Sequence, residues 1–345
     1  MRIKVYHFIK AHFTAVFFFI CGLLSAQDIH FSQFWMNPIA INPATAGFFE
    51  GEARIGIYNR SQWYTVTKAY QTNGLWFDLP IVKRASHQDI FGFGMTFDYD
   101  CAGSSKYTTL QSNAMFSYAR ALNRKNNNFL MIGISGGVAH RSINYQFLSF
   151  DEQFQDNIYR SDNPISETFP ISSFVFPDCG VGVQWFYHPL ESFYYQLGIS
   201  TFHLNRPYQS LLKDKSIRMP IKYNIQFTTG IGVHSAMMLI PSILFSQQGK
   251  YNEIMLGCLY SYVIGIDNSG DLQKFELGFD YRWKDALYVV IGYELRRLRF
   301  NFSYDFNLSK LSPASDAQGG IEVSMYYVFK KKKTFKRQDV PCPIW

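Results

Sequence analysis

The sequence lacks the long apolar runs of a helical membrane protein. Beyond its first 26 residues, the 345-residue chain has no uninterrupted apolar run of about 20 residues, the length that a membrane-spanning helix needs. The one long run, Phe13–Leu24, follows three basic residues and leads into Leu24-Ser25-Ala26, which is the layout of a secretory signal peptide. We therefore predict that residues 1–26 form a signal peptide, that cleavage follows Ala26, and that the protein is exported.

Cysteine is scarce, and its spacing is not typical of a metal site or a redox site. Four cysteines remain after the leader: Cys101, Cys179, Cys258 and Cys342. None belongs to a C-x-x-C pair or neighbours a histidine at ligand spacing, so zinc and thiol-redox sites have no support. We expect no metal and no cofactor. Isolated thiols are the simplest interpretation, and a disulfide stays open in an oxidising compartment.

The body of the chain also lacks an excess of charge of either sign. Of the 33 basic residues, three lie in the leader and six in the tail at 330–345, which leaves 24 basic against 25 acidic residues for positions 27–329. The sequence pI of about 9.0 therefore comes from the two ends and not from a folded basic face. We predict no nucleic-acid partner. The tail is either solvated or binds an acidic partner or anionic headgroups.

The most prominent features of the sequence are its many aromatic residues and an alternation of apolar and polar residues with a period of two. Phenylalanine, tyrosine and tryptophan make up 18% of the chain, with 33 Phe and 23 Tyr. From Glu52 onward apolar residues alternate with polar or small ones, most clearly at Phe91–Tyr99. The pattern returns at Phe275–Trp283, Leu287–Leu295, Leu298–Phe306 and Ile321–Phe329. Such alternation predicts strands with one apolar face and one polar face.

The polar face of these strands carries charges of both signs. They are Arg54, Arg60, Asp98, Glu276, Asp280, Arg282, Glu294, Arg299, Asp305 and Glu322. A mid-bilayer arginine on the lipid side of a barrel would cost about 2–4 kcal/mol, so we predict that these side chains face inward. The strands run about 10 to 13 residues, which suits a tilted strand crossing a bilayer. Tryptophans near predicted strand ends are expected to form interfacial girdles: Trp63, Trp76, Trp185 and Trp283.

We predict an all-β fold, a transmembrane antiparallel β-barrel of about 14 strands over residues 52–329, with an N-terminal periplasmic extension. The predicted strands are 52–63, 67–78, 90–100, 107–122, 129–141, 178–187, 192–202, 222–234, 237–247, 252–264, 273–283, 286–296, 297–307 and 319–329. The weakest boundary is Arg296-Arg297, which flips the alternation without a Gly or Asn turn. With both chain ends in the periplasm, the longest connections face outside. They are 142–177, 203–221 and 307–318, and the first is long enough for a plug, a lid or a docking surface.

The segment before the first strand, His30–Phe49, reads HFSQFWMNPIAINPATAGFF. Pro38 and Pro43 make it a poor barrel strand because proline lacks an N–H donor, whereas Asn before Pro can cap a short helical turn. We predict that residues 27–51 form an ordered periplasmic segment packed under the barrel. A sharper hypothesis is that the segment also contacts a partner. The candidate partner-binding residues are Phe31, Ser32, Gln33, Asn37, Pro38, Asn42, Pro43 and Gly47.

The same segment resembles the opening of a known family. Phe31-Ser32-Gln33, Asn37-Pro38, Asn42-Pro43-Ala44 and Ala46-Gly47, followed by Arg60-x-Gln62-Trp63, are similar to the PorP/SprF family of type IX secretion and gliding-associated membrane proteins. The resemblance continues through Pro177-Asp178-x-Gly180-x-Gly182, Gly198-Ile199-Ser200-x-x-His203-Leu204-x-x-Pro207, Pro241-Ser242, Ser303-Tyr304-Asp305-x-x-x-Ser309 and Cys342-Pro343. It therefore covers essentially the whole mature chain.

The resemblance implies an outer-membrane barrel that works with the type IX secretion and gliding motility machinery. Its implied partners are a large secreted adhesin or the C-terminal domain of one, a periplasmic peptidoglycan-binding lipoprotein, other machinery components and outer-membrane lipid. A dedicated export role and a place in the core machine both stay open. We expect the segment at 28–51 and the tail at 330–345 to dock the periplasmic partner and the outer loops to meet the adhesin.

Enzymatic and transport functions have less support in the residues. Paired carboxylates such as Glu294 with Glu322 are more simply neutralised by lumenal arginines than used as an acid and a base. No Ser-His-Asp set is apparent, and we predict that the protein is not an enzyme. The predicted lumenal charge network is Arg60, Asp98, Asp280, Arg282, Glu294, Arg299, Asp305 and Glu322. The alternative function is an outer-membrane transporter or porin for small solutes, which a charged lumen permits.

Overall fold

The computed structural model describes residues 28, 31–64, 68–84, 89–155, 158–160, 162–164, 170–266, 271–309 and 317–330. The predicted signal peptide and nearly all of the basic tail lie outside the described residues. In the described part, fourteen strands close into one antiparallel barrel. They are β1 Ala53–Gln62, β2 Tyr70–Arg84, β3 Asp89–Ala102, β4 Tyr107–Ala121, β5 Asn128–Ser142, β8 Ser173–Leu190, β9 Phe193–Phe202, β10 Lys222–His234, β11 Met237–Gln248, β12 Tyr251–Ile266, β13 Leu272–Arg282, β14 Ala286–Leu295, β15 Leu298–Asn307 and β16 Gln318–Phe329. Two short strands, β6 Phe154–Gln155 and β7 Ile158–Tyr159, form a separate hairpin.

The barrel strands pair in chain order, with β5 joined to β8 across the loop that contains β6 and β7. β1 and β16 close the barrel, with Ala53 opposite Phe329 and Gln62 opposite Gly320. The prediction of an all-β transmembrane antiparallel barrel with about 14 strands is thus confirmed. Of the described helices, none has the length and apolar character to cross a bilayer.

The two rims of the barrel differ in the length of their connections. We call the rim at which β1 begins and β16 ends the lower rim, and the opposite one the upper rim. The lower rim has tight turns such as 191–192, 235–236 and 296–297, whereas the upper rim carries the long connections 143–172, 203–221 and 308–317. This is the asymmetry expected of a barrel whose upper rim faces outside the cell.

Arg296-Arg297 is a turn and not a bulge. Arg296 takes the left-handed conformation, with φ of 60°, and Leu295 pairs with Leu298 across it. Two-residue hairpin turns require positive φ, which glycine and asparagine adopt most readily. An arginine at this position gives no turn signal in the sequence. The predicted number of strands is nevertheless correct.

Inward and outward faces alternate along the strands. On β1, Ile55 and Ile57 are 40% and 47% exposed, whereas Arg54 and Arg60 are each 2% exposed. Every barrel strand carries exposed apolar side chains, which suits contact with lipid hydrocarbon. The charged side chains predicted to face inward do so and are buried, apart from Glu294, which is partly exposed.

Trp76 corrects one detail of the predicted girdles. Its side chain is 1% exposed and lies on the inward face of β2, on the same side as Asp78. There the Trp76 ring packs under the Arg54 guanidinium at 4.9 Å. The prediction of an interfacial position was therefore wrong for Trp76, because β2 extends to Arg84 and places this residue in its middle. Trp283, in the turn after β13, is 53% exposed.

Candidate functional site

The candidate site is the barrel lumen, which is filled by the chain's own N-terminal segment. We call residues 31–49 the plug. Residues 32–39 and 42–49 are all buried, and hydrogen bonds join the plug to β2, β4, β8, β9, β10, β13, β15 and β16. The prediction that these residues pack under the barrel was therefore wrong, since the lumen gives their apolar side chains and backbone groups more partners than a rim does.

The plug consists of three short helical turns. They are a 3₁₀ turn at Phe34–Met36, an α-helical turn α1 at Pro38–Ile41 and a 3₁₀ turn at Pro43–Thr45. Each proline sits at the start of its turn, where no N–H is needed. The Asn42 side chain caps the third turn by accepting a hydrogen bond from the Ala44 N–H at 3.0 Å, as expected for Asn before Pro. Asn37 makes no such cap.

The upper end of the plug is held by a cluster of buried charges, which we call the upper anchor. The Glu322 carboxylate accepts from the backbone N–H groups of Ser32 and Gln33 at 2.8 and 3.0 Å. The Asp305 carboxylate accepts from the Ser32 hydroxyl at 2.9 Å and from Arg282 at 3.0 Å. Arg60 also pairs with Asp305, at 3.2 Å.

The upper anchor contains two arginines and two carboxylates that are each 5% exposed or less. Arg282 also pairs with Glu253 and Asp285, at 3.3 and 3.2 Å. Buried charges are tolerated when they are paired and hydrogen-bonded. Part of that hydrogen bonding comes from the plug itself. The plug is therefore a component of the charge cluster and not only a filler of space.

The middle of the plug packs as a hydrophobic core inside the barrel. Phe34, Trp35, Met36 and Ile39 are buried in one cluster with inward-facing wall residues. The wall residues of that cluster are Tyr58, Trp76, Met115, Leu244, Met255, Tyr288, Val290 and Tyr326. Apolar side chains on both the plug and the wall mean that removing the plug would expose apolar surface to water.

The lower end of the plug is fixed near the lower rim. The Gly47 N–H donates to Asp78 at 2.9 Å, and Arg54 pairs with both oxygens of the same carboxylate at 3.0 Å each. The Ser117 hydroxyl donates to the Ala46 carbonyl oxygen at 2.5 Å. The Phe48 ring lies 5.1 Å from that of Phe129, the second residue of β5. The plug therefore runs from the lower rim to the upper half of the lumen.

Glycines on the inward face make room for the plug backbone. A Cβ at Gly92 would meet the Ala46 carbonyl oxygen, one at Gly133 would meet the backbone of Pro43 and Ala44, and one at Gly182 would meet the Asn42 side chain. These are close approaches that only glycine permits. Gly92 in β3 and Gly182 in β8 therefore leave space that the plug occupies.

Substituting Gly133 is expected to disturb the plug. Gly133→Ala should lower the free energy of unfolding by about 1–3 kcal/mol, because the new methyl group overpacks against the plug backbone. Gly136→Ala is the matched control on the same strand, since a Cβ there meets nothing within 4 Å. The measurement is the urea midpoint of the purified barrel in detergent. Equal midpoints for the two variants would contradict the close approach.

The structure brings only part of the predicted lumenal charge network together. Arg60, Arg282, Asp305 and Glu322 meet in the upper anchor. Arg299 pairs instead with Glu276, and Glu294 with Lys274. Asp98 accepts a hydrogen bond from the Tyr58 hydroxyl. Asp280 lines a separate small cavity.

Sequence reasoning missed several groups that hold the plug. Asp78, Ser117 and Tyr58 were not among the candidates, although each lies on the inward face by alternation. The predicted partner-binding residues all lie in the lumen, and all but Phe31 are buried. Partner binding by them stays a prediction, and it would require the plug to leave the barrel.

One small cavity lies between the plug and the wall. It has a volume of about 20 Å³ and is lined by Trp35, Tyr194, Thr228, Ile240, Ser242, Leu259, Asp280 and Arg299. That is room for about one water molecule. Among the described residues, the Trp35 Nε1 and Asp280 Oδ2 atoms beside it have no hydrogen-bond partner, so a water molecule suits both. Within the described residues, no group of three or more His, Cys, Asp or Glu side chains is placed to hold a metal ion.

Comparison with known proteins supports the resemblance seen in the motifs. The sequence model of the family described as type IX secretion system membrane protein PorP/SprF matches residues 23–327. This match spans the plug and nearly the whole barrel. A search of curated proteins finds no match.

Solved structures similar to this chain share its barrel fold. The toluene transporter TodX of Pseudomonas putida aligns with a TM-score of 0.51 at 9% identity, covering 88% of this chain and 95% of that chain. The toluene transporter TbuX of Ralstonia pickettii aligns with a TM-score of 0.50 at 11% identity, covering 84% and 93%. Both are outer-membrane barrels. At such identities the likeness concerns the fold alone.

Proposed function

This chain belongs to the PorP/SprF family of type IX secretion system membrane proteins, and we propose that it acts there as a plugged, non-enzymatic barrel that supports export or surface attachment of a large secreted adhesin. The barrel offers its two rims to partners and keeps its lumen closed. The upper rim meets the secreted protein, and the lower rim meets a periplasmic lipoprotein or other machinery.

The observation that carries this proposal is the filled lumen. A passing polypeptide needs a path at least as wide as an extended chain, and a helix needs about 10–12 Å. The cavity beside Trp35 holds about 20 Å³, and hydrogen bonds join the plug to strands around the barrel. Partners are therefore expected to bind at the rims. The long connections of the upper rim provide the larger surface.

Ion pairs at the lower rim lie where a periplasmic partner is expected to bind. Lys330, the first residue of the basic tail, lies 3.5 Å from Glu50 and 3.9 Å from Asp271. Arg297 also pairs with Asp271, at 3.1 Å. These ion pairs fix the point at which the tail leaves the barrel, beside the end of the plug. A periplasmic partner that binds the tail would therefore sit close to the segment that closes the lumen.

Purification from the native outer membrane tests the proposed function. We expect the tagged protein, extracted in mild detergent, to retain a large secreted adhesin or its C-terminal domain, identified by mass spectrometry. Retention of a peptidoglycan-binding lipoprotein and machinery components without an adhesin would indicate a place in the core machine instead. An unaccompanied barrel would contradict the proposal. A tagged outer-membrane barrel of unrelated function from the same cells is the control for non-specific retention.

The alternative, a transporter or porin for small solutes, requires the plug to leave the lumen or to shift within it. The contacts of the upper anchor and of Asp78 oppose such a movement. The likeness to toluene transporters rests on fold at low identity and does not favour this alternative.

A further inference from the structure

A hairpin on the upper rim has features that the plugged lumen does not explain. We call residues 203–221, which connect β9 to β10, the upper arm. Its base brings together two sequence motifs that lie apart in the chain. The His203 Nδ1 atom is 2.9 Å from the Asp178 Oδ1 atom, and the two side chains are 2% and 3% exposed.

Further bonds tie the base of the upper arm to β8. The Leu204 N–H donates to the Cys179 carbonyl oxygen at 3.1 Å, and the Asn205 side chain donates to the Pro177 carbonyl oxygen at 2.7 Å. His203 takes the left-handed conformation, with φ of 59°. Such a backbone conformation in a residue other than glycine needs the surrounding contacts to hold it. The base is therefore fixed to the barrel wall.

The middle of the upper arm is a paired hairpin. The Met219 N–H donates to the Pro207 carbonyl oxygen and the Gln209 N–H to the Ile217 carbonyl oxygen, both at 2.9 Å. The Met219 side chain is buried against Ala139 and Phe176 of the barrel wall. These contacts give the upper arm one shape before any partner binds, which lowers the entropic cost of binding.

The outer part of the upper arm is basic and partly apolar. Residues 203–221 contain four basic side chains and one acidic one, Asp214. The basic residues are Arg206, Lys213, Lys215 and Arg218. Because the body of the chain is near neutral, this is a local positive field. The Asp214 carboxylate accepts from the Ser216 N–H at 2.8 Å, so it is already engaged within the turn.

Apolar side chains stand among these charges. Leu212 is 63% exposed, Ile217 is 47% exposed and Tyr208 is 46% exposed. The Arg218 guanidinium lies 4.4 Å from the centre of the Tyr208 ring and donates to the Tyr208 hydroxyl at 2.7 Å. Tyrosine and arginine held in one geometry are typical of the residues that dominate protein interfaces.

We propose that the upper arm is a docking surface for an acidic protein surface on the secreted partner. The proposal rests on the function proposed above, in which a secreted protein is held at the upper rim. Positive charge steers an acidic partner to the arm, and Leu212, Ile217 and the Tyr208–Arg218 pair supply the contacts that exclude water. A phosphate-bearing lipid is the competing occupant, and vesicle binding distinguishes it from a protein partner.

Charge reversal on the arm is the test. Lys213→Glu with Lys215→Glu changes the exposed turn of the upper arm. Arg124→Glu with Lys125→Glu makes the same change of charge at the exposed lower-rim turn 122–127. Both variants should assemble, shown by unchanged heat-modifiable mobility on a gel, since none of the four side chains is buried.

The probes are the secreted protein that the wild-type barrel retains from native membranes and vesicles that contain lipopolysaccharide. We expect the arm variant to retain about tenfold less of the secreted protein, a fall that added salt also produces in the wild type. The lower-rim variant should retain as much as the wild type. Vesicle binding should be equal for all three proteins.

The outcomes separate the two proposals. If the wild type retains no secreted protein, the proposed function fails. If the wild type and the arm variant retain the secreted protein equally well, the proposed function stands. The proposal that the upper arm is the docking surface is then overturned. Loss of vesicle binding in the arm variant, with retention of the secreted protein unchanged, would assign the arm to lipid and overturn the proposal.

Discussion

Deleting residues 31–49 is expected to change a silent barrel into a conducting one. In a planar bilayer we expect the wild-type protein to show no steady channels and the deletion variant to show steady single-channel currents. The reason is that the plug occupies the lumen from Phe48 at the lower rim to Ser32 in the upper anchor. Without the plug, the inward-facing charges of the wall would be hydrated and would line a water-filled path.

A milder variant guards against failure of the deletion to assemble. Ser32→Ala with Gln33→Ala keeps the chain length but removes the side-chain bonds to Asp305, Ser303 and Ser324. Each buried polar group left without a partner costs about 1–3 kcal/mol, so the upper end of the plug should detach in part. We expect bursts of conductance between closed periods. Gly136→Ala, which touches nothing in the lumen, should stay silent.

Silence of an assembled deletion variant would show that another part of the chain closes the pore. The connection at 143–172 is the natural candidate for that role, since its length suggested a plug or lid from the sequence. Steady large channels from the wild type would instead favour the transporter alternative. In the structure the N-terminal segment fills the lumen, and the two ends of the connection at 143–172 meet at the upper rim, where Ile143 N–H donates to the Ser172 carbonyl oxygen at 2.9 Å.

The barrel was predictable because its signal repeats at every strand. The period of two identifies the strands, and the confinement of charges to one face identifies the inward face and the class of membrane barrel. With thirteen boundaries between strands, few alternative strand assignments fit the sequence. β10 at Lys222–His234 agrees with the prediction to the residue. β2 does not, since it runs to Arg84 rather than to residue 78. Pro80 and the register shift between Pro80 and Val82 break its alternation. The alternation therefore does not predict the last residues of β2, before the turn to β3.

The plug was not predictable from its own sequence. A segment rich in Pro, Asn and apolar residues has the same pattern whether it packs under a barrel or inside it, because periodicity reports faces and not neighbours. The indication of a lumenal segment lies in the residues of the barrel wall. Gly92, Gly133 and Gly182 on the inward face leave no room for a side chain beside the plug. Many inward charges also implied that something polar had to meet them.

Removing one partner of the buried Arg299–Glu276 pair is expected to cause a large loss of stability. Arg299 donates from Nε and Nη2 to the two oxygens of Glu276, both at 2.8 Å. The side chains are 2% and 3% exposed. Glu276→Ala leaves the guanidinium buried without its carboxylate, and breaking such a pair costs about 3–5 kcal/mol.

Glu294→Ala is the matched control for Glu276→Ala. Glu294 pairs with Lys274 at 3.1 Å, and the carboxylate side chain is 18% exposed whereas Lys274 is 7% exposed. Because solvent reaches this carboxylate more than that of Glu276, loss of the pair should cost less than loss of the Arg299–Glu276 pair. The double variant Glu276→Leu with Arg299→Leu should recover most of the lost stability, because an apolar pair of similar volume replaces the charges. Urea midpoints in detergent, followed by tryptophan fluorescence, measure all three. A loss of only about 1 kcal/mol from Glu276→Ala would mean that water reaches the Arg299–Glu276 pair and that the lumen beside Trp35 is open.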